Sequence, residues 1–463
     1  MIWAEPYGGK NIAVFGLGKS GLASVRTLIA AGASVAPWDD SEGSRAAAEK
    51  SGVQLVDLKS AEWSAFDALI LAPGVPLTHP EPHWTVAKAR AANVPVIGDT
   101  EVFCETLNRC GDATKLIGIT GTNGKSTTTA LIGHVFANAG RDTQTGGNIG
   151  LAVLDLEPPV TGRHYVVELS SYQIDLTPSL KPDIGLLLNL TPDHLDRHGD
   201  MAGYAAVKAR MFAIQDESDE AFIGVDDDYC RAIAAEVPKA RVTRVSVEGH
   251  DAEISVADGV LSDARDGTTL DLNSFDTLRG RHNWQNAAMA WGAGRALGLS
   301  AEDIANGFSS FPGLAHRMEI VARRGQVLFV NDSKGTNADA AERALDTFDN
   351  IFWIAGGRAK AGGIEPLRPY FGKIQHAFLI GESAADFANS LSDAVPYTNS
   401  GTIEQAVNDA AAAAARFGGE SVVLLSPACA SFDQFRNFEL RGDAFKQSVA
   451  ALSGVHLMGK EAA

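Results

Sequence analysis

The stretch Lys115 to Thr128, KLIGITGTNGKSTT, limits what this chain can fold into more than any other part of it. Leu116 to Ile119 is a short apolar run that reads as a β-strand. Gly121-Thr122-Asn123-Gly124 is a glycine-bearing turn, and Lys125-Ser126-Thr127-Thr128 opens a segment with helical spacing at Leu131, Val135 and Phe136. Strand, glycine turn, Lys-Ser and helix together make the layout of a phosphate-binding loop. Glycines let backbone N–H groups close around phosphate oxygens, the lysine reaches the terminal phosphates, and the serine hydroxyl can ligate Mg²⁺. The match is to the tight core G-x-x-G-K-S, because the first glycine of the longer pattern would fall on Ile119. An ordinary glycine turn before a helix is the plainer alternative.

A chain of 463 residues is expected to form about three domains. With 45% hydrophobic and 21% charged residues, it has ample material for a core. No apolar run approaches the ~18–20 residues of a membrane span, and the N-terminus runs straight into a strand without the pattern of a signal peptide. A cytoplasmic protein with no membrane insertion is therefore expected. Cys104, Cys110, Cys230 and Cys429 show no CxxC pairing and read as reduced, mostly buried thiols. The net charge of −18 argues against nucleic acid as a partner. It leaves a phosphorylated small molecule open, since a local lysine and a helix N-terminus decide that contact.

Residues 1–98 carry a second glycine turn. The strand Asn11 to Phe15 leads into Gly16-Leu17-Gly18-Lys19-Ser20-Gly21, a G-x-G-x-x-G, and a helix ends at Gly32. The strand that follows closes on Trp38-Asp39-Asp40, about 20 positions on, where a dinucleotide fold places its ribose-binding acid. Taken alone this reads as an NAD site with Asp39 or Asp40 on the ribose, or as a turn for some other diphosphate. Strand Ala68 to Leu71 ends in Ala72-Pro73-Gly74-Val75, at the sheet edge where α/β folds hold ligands.

Residues 99–313 contain the phosphate loop, and further chemistry sits at strand ends. Gly146 to Gly150 reads as a polar loop. Tyr165 to Ser171 reads as a strand with a continuous apolar, buried start, and Glu168 at the end of such a strand is costly unless it is paired in a buried salt bridge or bound to metal. Ile184 to Leu190 precedes Asp193-His194-Leu195-Asp196-Arg197-His198, either a ligand loop or solvated charges. Lys208 lies on a helix read over Tyr204 to Phe212, where a lone lysine is usually solvated. Asn283 is expected at a helix N-cap. In residues 314–463 strands and helices alternate, which implies a third parallel α/β domain. Its strand ends bring Asp332, Lys334, Thr336, Lys360 and Ser431 toward one crevice.

Several blocks in order are more specific than any single motif. GITGTNGKSTT, GGNIG, VELSSYQ, NLTPDHLDRH, GRHNWQN, AHRME, NDSKGTN, GGRAK and LLSPACASFDQFRNFELRGDAF resemble the Mur ligase family, and within it the members that add D-glutamate. The resemblance implies three α/β domains: an N-terminal Rossmann-like domain (1–98) for a UDP-linked substrate, a central P-loop ATPase-like domain (99–313), and a C-terminal Rossmann-like domain (314–463) for the amino acid. It implies an amide-forming ligase that uses ATP and Mg²⁺ on UDP-N-acetylmuramoyl-L-alanine and D-glutamate, acts as a monomer, and closes its domains on its substrates. Gly121 to Thr127 would then hold phosphates, with Lys125 on the β- and γ-phosphates, and Asn283, Arg317 and Asp332 would hold the rest of ATP. Ser126, Glu168, His194 and a carbamylated Lys208 would serve the metals, and Lys125, Glu168, His194 and Lys208 form the catalytic set. Asn148 and Ser170 would meet the muramoyl substrate, and Lys334, Thr336, Lys360, Ser431 and Phe438 would receive D-glutamate. The first glycine turn is reassigned from NAD to the uridine diphosphate, with Gly18, Lys19, Ser20 and Asp39 as candidates. The chain departs from the family pattern at Asp40-Ser41, where some members carry Thr-Arg; Arg45 is the substitute considered for that arginine. Other readings are a sister ligase adding another amino acid, a folylpolyglutamate synthase, an NAD-dependent oxidoreductase, and a non-catalytic nucleotide-binding protein.

Overall fold

The structure is a computed structural model that describes residues 1–359, 362–392 and 394–458. It forms two compact units: one comprises Met1–Ser274 with Asn283–Ser309, the other Phe275–His282 with Ser310–Ala463.

The first unit is built on two sheets. The smaller has strands β1 (Asn11–Phe15), β2 (Ser34–Trp38), β3 (Ala68–Leu71) and β4 (Val96–Ile97) in the order β2-β1-β3-β4. All of its pairings are parallel. Residues of β1 alternate between two cores. Ile12 and Val14 join one cluster, Ala13 and Phe15 the other, so the strand is apolar on both faces, as a helix-covered parallel strand must be. The helix Lys19–Ala30 follows β1 directly. Gly16 allows that turn with φ +95°, and a Cβ on Gly21 would come within 1.8 Å of the Gly16 carbonyl oxygen. Strand and helix therefore touch through two bare backbones.

The larger sheet has β5 (Lys115–Thr120), β6 (Thr143–Gly147), β7 (His164–Glu168), β8 (Ile184–Leu187), β9 (Glu220–Gly224), β10 (Arg241–Ser246), β11 (Ile254–Ala257), β12 (Val260–Asp263) and β13 (Thr268–Asp271). Their order is β13-β12-β11-β10-β9-β8-β5-β7-β6. Pairing is parallel from β6 through to β11, and β12 and β13 extend the edge antiparallel. β5 lies between β7 and β8: from β5 the chain goes to the edge strand β6, returns inward to β7, crosses over β5 to β8 and runs outward from there. Such a switch point opens a crevice at the carboxyl ends of the strands. The two sheets share one apolar cluster. Leu28 and Ile70 of the smaller sheet's layer bury with Phe103, Tyr165 and Val167 of the larger.

The second unit is a seven-stranded sheet of β14 (Glu319–Arg324), β15 (Val327–Asn331), β16 (Ile351–Gly356), β18 (Ile374–Ile380), β19 (Tyr397–Gly401), β20 (Ser421–Leu425) and β22 (His456–Leu457). The order is β19-β18-β16-β20-β15-β14-β22. The first five strands in that order run parallel, and β14 and β22 add antiparallel. Side chains again alternate: Trp353 and Leu424 face one core, Ile354 and Leu425 the other. A two-stranded ribbon of β17 (Arg358–Ala359) and β21 (Cys429–Ala430) ties together the chain leaving β16 and the chain leaving β20.

Local expectations shift in three places. Gly146 and Gly147 are not loop but the end of β6, because their bare backbones pack against Leu151 and Glu168; a Cβ on Gly147 would come within 2.3 Å of the Glu168 carbonyl. Asn283 is not an N-cap; it is inside the first turn of the helix Arg281–Ala296 and is buried. The helix carrying Lys208 is Met201–Ala209, capped by Asp200, and tightens into a 3₁₀ turn over Arg210–Phe212. Among the described residues no helix is long and apolar enough to cross a membrane.

Candidate active site

The phosphate loop is a closed ring of backbone. Gly121 (φ +147°) and Gly124 (φ +83°) adopt conformations that favour glycine, and Gly124 caps the helix Lys125–Asn138. A Cβ on Gly124 would come within 2.4 Å of Asn286 Oδ1. Lys125 Nζ curls back to donate to the carbonyl oxygens of Gly121 (2.9 Å) and Thr122 (2.7 Å). Asn189, just past β8, braces the loop from outside. Its Oδ1 accepts from the Asn123 N–H at 2.9 Å, and its Nδ2 donates to Gln285 Oε1 at 2.8 Å. Thr128 Oγ1 donates to Asn286 Oδ1 (3.0 Å), whose Nδ2 donates to Asn283 Oδ1 (3.1 Å). Asn189 and Asn286 escaped the reading of the sequence although both lie inside quoted blocks; an amide side chain there looks like any other polar residue.

Two ionisable groups converge on the top of β5. Glu168 pairs in register with Ile119, one residue before Thr120. Its side chain is buried at 2% exposure; Oε1 accepts from Asn148 Nδ2 at 2.8 Å, and Oε2 has no partner. A buried carboxylate oxygen left without a donor is expensive, so the salt bridge considered for Glu168 is not what satisfies it. Lys208 is also buried, at 1% exposure, rather than solvated. Its Nζ donates to Thr120 Oγ1 (2.9 Å) and to the Gly121 carbonyl (3.0 Å). Burial first, and then the neighbouring Lys125 charge, hold its pKa well below the usual lysine range.

His194 stands on the next strand-end loop in a left-handed conformation (φ +53°), at the N-cap of the short helix Leu195–His198. It is half exposed, with Nε2 3.3 Å from Asp193 Oδ2 and its ring 4.9 Å from that of Tyr172. Arg197 in the same turn reaches across to β3. It donates to the carbonyls of Gly74 (2.9 Å) and Val75 (2.8 Å) with its guanidinium 4.5 Å over Tyr172. Ser170 forms a capping box with Gln173, so its hydroxyl is engaged in starting the helix Ser171–Asp175. Among the described residues no cluster of three or more His, Cys, Asp or Glu is arranged to hold a metal. The unpartnered Glu168 oxygen suits a cation.

The glycine turn of the smaller sheet is braced by Asp39, whose Oδ2 accepts from the Leu17 N–H (2.7 Å) and Oδ1 from the Ser41 N–H (2.8 Å). Asp39 therefore shapes the turn through both carboxylate oxygens. Asp40 accepts from Trp84 Nε1 at 2.8 Å. Arg45 donates to the carbonyls of Asp39 (2.8 Å) and Asp40 (3.0 Å) and lies 4.8 Å over the Trp38 ring. Lys19 donates to the carbonyl of Gly150, linking the turn to the loop that carries Asn148. Gly18 and Ser20 flank it at the start of the helix.

In the second unit the loops leaving β15 and β20 meet. Asp332 is buried; Oδ2 accepts from Ser426 Oγ at 2.7 Å and Oδ1 from the Met318 N–H at 3.3 Å. Burial pushes its carboxyl up to about 7. Gly335 packs tightly here, since a Cβ would come within 2.7 Å of Asp332 Oδ2. Lys334 Nζ lies 4.1 Å over the Phe438 ring. Arg441, unnoticed in the sequence, is buried at 1% exposure. Its Nε and Nη2 donate to Ser333 Oγ (3.0 Å) and O (2.8 Å), and Nη1 to the Cys429 carbonyl (3.0 Å). Every acceptor is neutral, and burial lowers its pKa to about 10. Ser431 is buried two residues beyond Cys429, Thr336 lies on the same loop as Asp332, and Arg317 lies on the loop that enters β14, next to Met318. Lys360 lies outside the described residues.

Comparison with known proteins matches three family models in succession: "Mur ligase MurD-like, N-terminal domain" over residues 10–98, "Mur ligase middle domain" over 119–294, and "Mur ligase, glutamate ligase domain" over 316–429. The chain is similar to proteins named UDP-N-acetylmuramoylalanine–D-glutamate ligase. That of Chelativorans sp. is 55% identical with 100% of both chains covered. That of Rhizobium meliloti is 54% identical over 99% of this chain and 100% of the other. Among solved structures, UDP-N-acetylmuramate-alanine ligase MurC of Thermotoga maritima superposes with a TM-score of 0.58 at 16% identity, covering 96% of this chain and 99% of that one. The MurF ligase of the same organism, solved in complex with ADP, gives 0.57 at 16% identity over 97% of each chain.

Proposed function

The chain belongs to the Mur ligase family, and from that premise we propose that it is an ATP-dependent ligase joining D-glutamate to UDP-N-acetylmuramoyl-L-alanine, acting as a monomer in cytoplasmic peptidoglycan precursor synthesis. The observation that carries the chemistry is the convergence of a buried carboxylate with an unpartnered oxygen, Glu168, and a buried lysine, Lys208, on the phosphate loop. A nucleotide-binding protein without catalysis has no use for two such costly burials in one place.

The reaction must bring two anions together. A carboxylate oxygen of the L-alanyl group attacks the γ-phosphorus of ATP, and ADP leaves. The amine of D-glutamate then adds to the acyl-phosphate carbon, and inorganic phosphate leaves with the carbonyl re-formed as an amide. In this reading the backbone amides of Gly121 to Ser126 hold the phosphates. Lys125 exchanges its loop carbonyls for the β- and γ-phosphate oxygens and spreads the charge that develops on transfer. Thr127 begins the helix behind them. Lys208 Nζ adds to CO₂ and loses a proton, which turns a buried amine into a carbamate. Ser126, Glu168, His194 and that carbamate would hold Mg²⁺, which supplies charge neutralisation between the two anions. Asn148, already on Glu168, faces the muramoyl end together with Ser170.

Residues 1–98 take the uridine diphosphate on the turn of Gly18, Lys19 and Ser20, shaped by Asp39. Residues 99–313 take ATP, with Asn283 from this part and Arg317 and Asp332 from the next. Residues 314–463 take D-glutamate through Lys334, Thr336, Lys360, Ser431 and Phe438, lysines meeting its carboxylates. The deciding experiment measures phosphate release with UDP-N-acetylmuramoyl-L-alanine, ATP, Mg²⁺ and each enantiomer of glutamate. Release is expected with D-glutamate; release with neither overturns the proposal.

A further inference from the structure

Besides Lys19, a second side chain bridges the two sheets of the first unit at their carboxyl edges. Arg197 belongs to the turn that carries His194, yet its guanidinium is given to the other sheet, clasping the carbonyls of Gly74 and Val75. Those two residues sit in the turn that leaves β3, closed by the Val75 N–H on the Ala72 carbonyl. That turn in its own right packs on the first glycine turn. A Cβ on Gly16 would come within 2.5 Å of the Ala72 Cβ and 3.7 Å of Val75 Cγ2. At its other end Arg197 lies over Tyr172, whose ring also meets His194 (4.9 Å) and stacks on His198 at 5.6 Å and 23°. His198 Nε2 is fixed in turn by Ser171 Oγ at 2.9 Å. A continuous path therefore runs from Gly16 through Ala72–Val75, Arg197 and Tyr172 to His194.

We infer that Arg197 is a positioning residue: it ties the diphosphate turn to the His194 loop, so that filling the turn holds His194 in place. The inference rests on the reading of the first glycine turn as the uridine-diphosphate holder. A planar fork suits the task, because two carbonyls at neighbouring residues need two parallel donors while the flat face stays free for the ring. A lysine offers a single head and no flat face. The link also explains why a left-handed His194 persists outside glycine, since Arg197 and Tyr172 hold its loop from both sides. Coupling between two sites through such an element is reciprocal, typically 5–150-fold in affinity.

The test uses the full chain, with uridine 5′-diphosphate alone as probe, free of ATP and metal. Binding is measured by calorimetry, and amide hydrogen exchange is followed over residues 193–199. In the wild type, saturating probe is expected to slow exchange in this segment. In Arg197→Ala and in Arg197→Lys the probe should bind at least about fivefold more weakly. At saturation it should leave exchange in 193–199 unchanged, while melting temperatures stay close to wild type. Guanidinium ion should restore part of the binding in Arg197→Ala, and sodium ion at equal concentration should not. Wild-type affinity and wild-type protection in both variants overturn the inference. A wild-type chain that fails to bind the probe overturns the reading of the turn itself, which separates the two failures.

Discussion

Lys208 Nζ donates to the carbonyl oxygen of Gly121 at 3.0 Å, so the amine is fixed to the phosphate loop. This bond, with the one to Thr120, holds the buried nitrogen where a carbamate would need to form, and burial lowers its pKa from the usual lysine range. Lys208→Ala is expected to reduce phosphate release at least ~100-fold and to recover partly with short carboxylic acids, which can stand where the carbamate stood. A folded variant that no acid rescues would remove the carbamate.

Glu168→Gln tests the unpaired carboxylate from the opposite direction. Removing a buried charge with an unsatisfied oxygen should leave the ligand-free melting temperature equal or higher. Turnover should fall at least ~100-fold, and saturation should need more Mg²⁺. Unchanged turnover and metal dependence would end its role toward the cation.

Lys125→Ala should cut phosphate release ~100–1,000-fold in a variant that remains folded; its partners include two carbonyls of the loop itself, which ligand phosphates would replace. Near-normal turnover would refute its part in phosphate transfer.

Asp332 makes a pH prediction. Burial raises its folded pKa from 3.8 to about 7, so the folded state holds the proton more tightly than the unfolded chain does. The associated stability is full below the unfolded value and is lost as pH rises through about 7, up to roughly 4 kcal/mol. Asp332→Asn should lack this loss. Ligand-free wild type and variant, melted from pH 4 to pH 8, should diverge with the variant ahead at the alkaline end; parallel curves would refute it.

Gly21→Ala places a carbon against the Gly16 carbonyl, a backbone atom with nowhere to go. The expected result is a loss of about 1–3 kcal/mol of stability, together with weaker binding of uridine diphosphate. Wild-type affinity in a denaturation-tested variant would show that the turn does not hold the diphosphate.

The strand, turn and helix around Lys125 were legible because each depends on local chemistry: an apolar run, glycines at special φ, a helix start. The three α/β layers were legible from the alternation of strands and helices. The burial of Lys208 was not, because burial is a property of what packs over a helix, and nothing near it in the chain announces that cover; only the family resemblance singled the residue out. Asn189, Asn286 and Arg197 were missed for a related reason. Each bridges segments far apart in the chain, and their bonds exist only once the strands are in order. Asp39 read as a ribose ligand because its position fits that role; that its two oxygens also accept from the backbone N–H groups of Leu17 and Ser41 depends on how the turn folds back on itself.

Arg441 has a consequence for how the second unit stands up to salt. Its charge is surrounded by neutral oxygens and sealed from water. Dissolved ions weaken attraction between exposed charges over a Debye length, about 8 Å at physiological ionic strength, but screen buried interactions much less. The three bonds that tie the Ser333 and Cys429 loops to Arg441 are thus insulated from the medium, and they should persist in brine that has erased the attraction between charges at the surface.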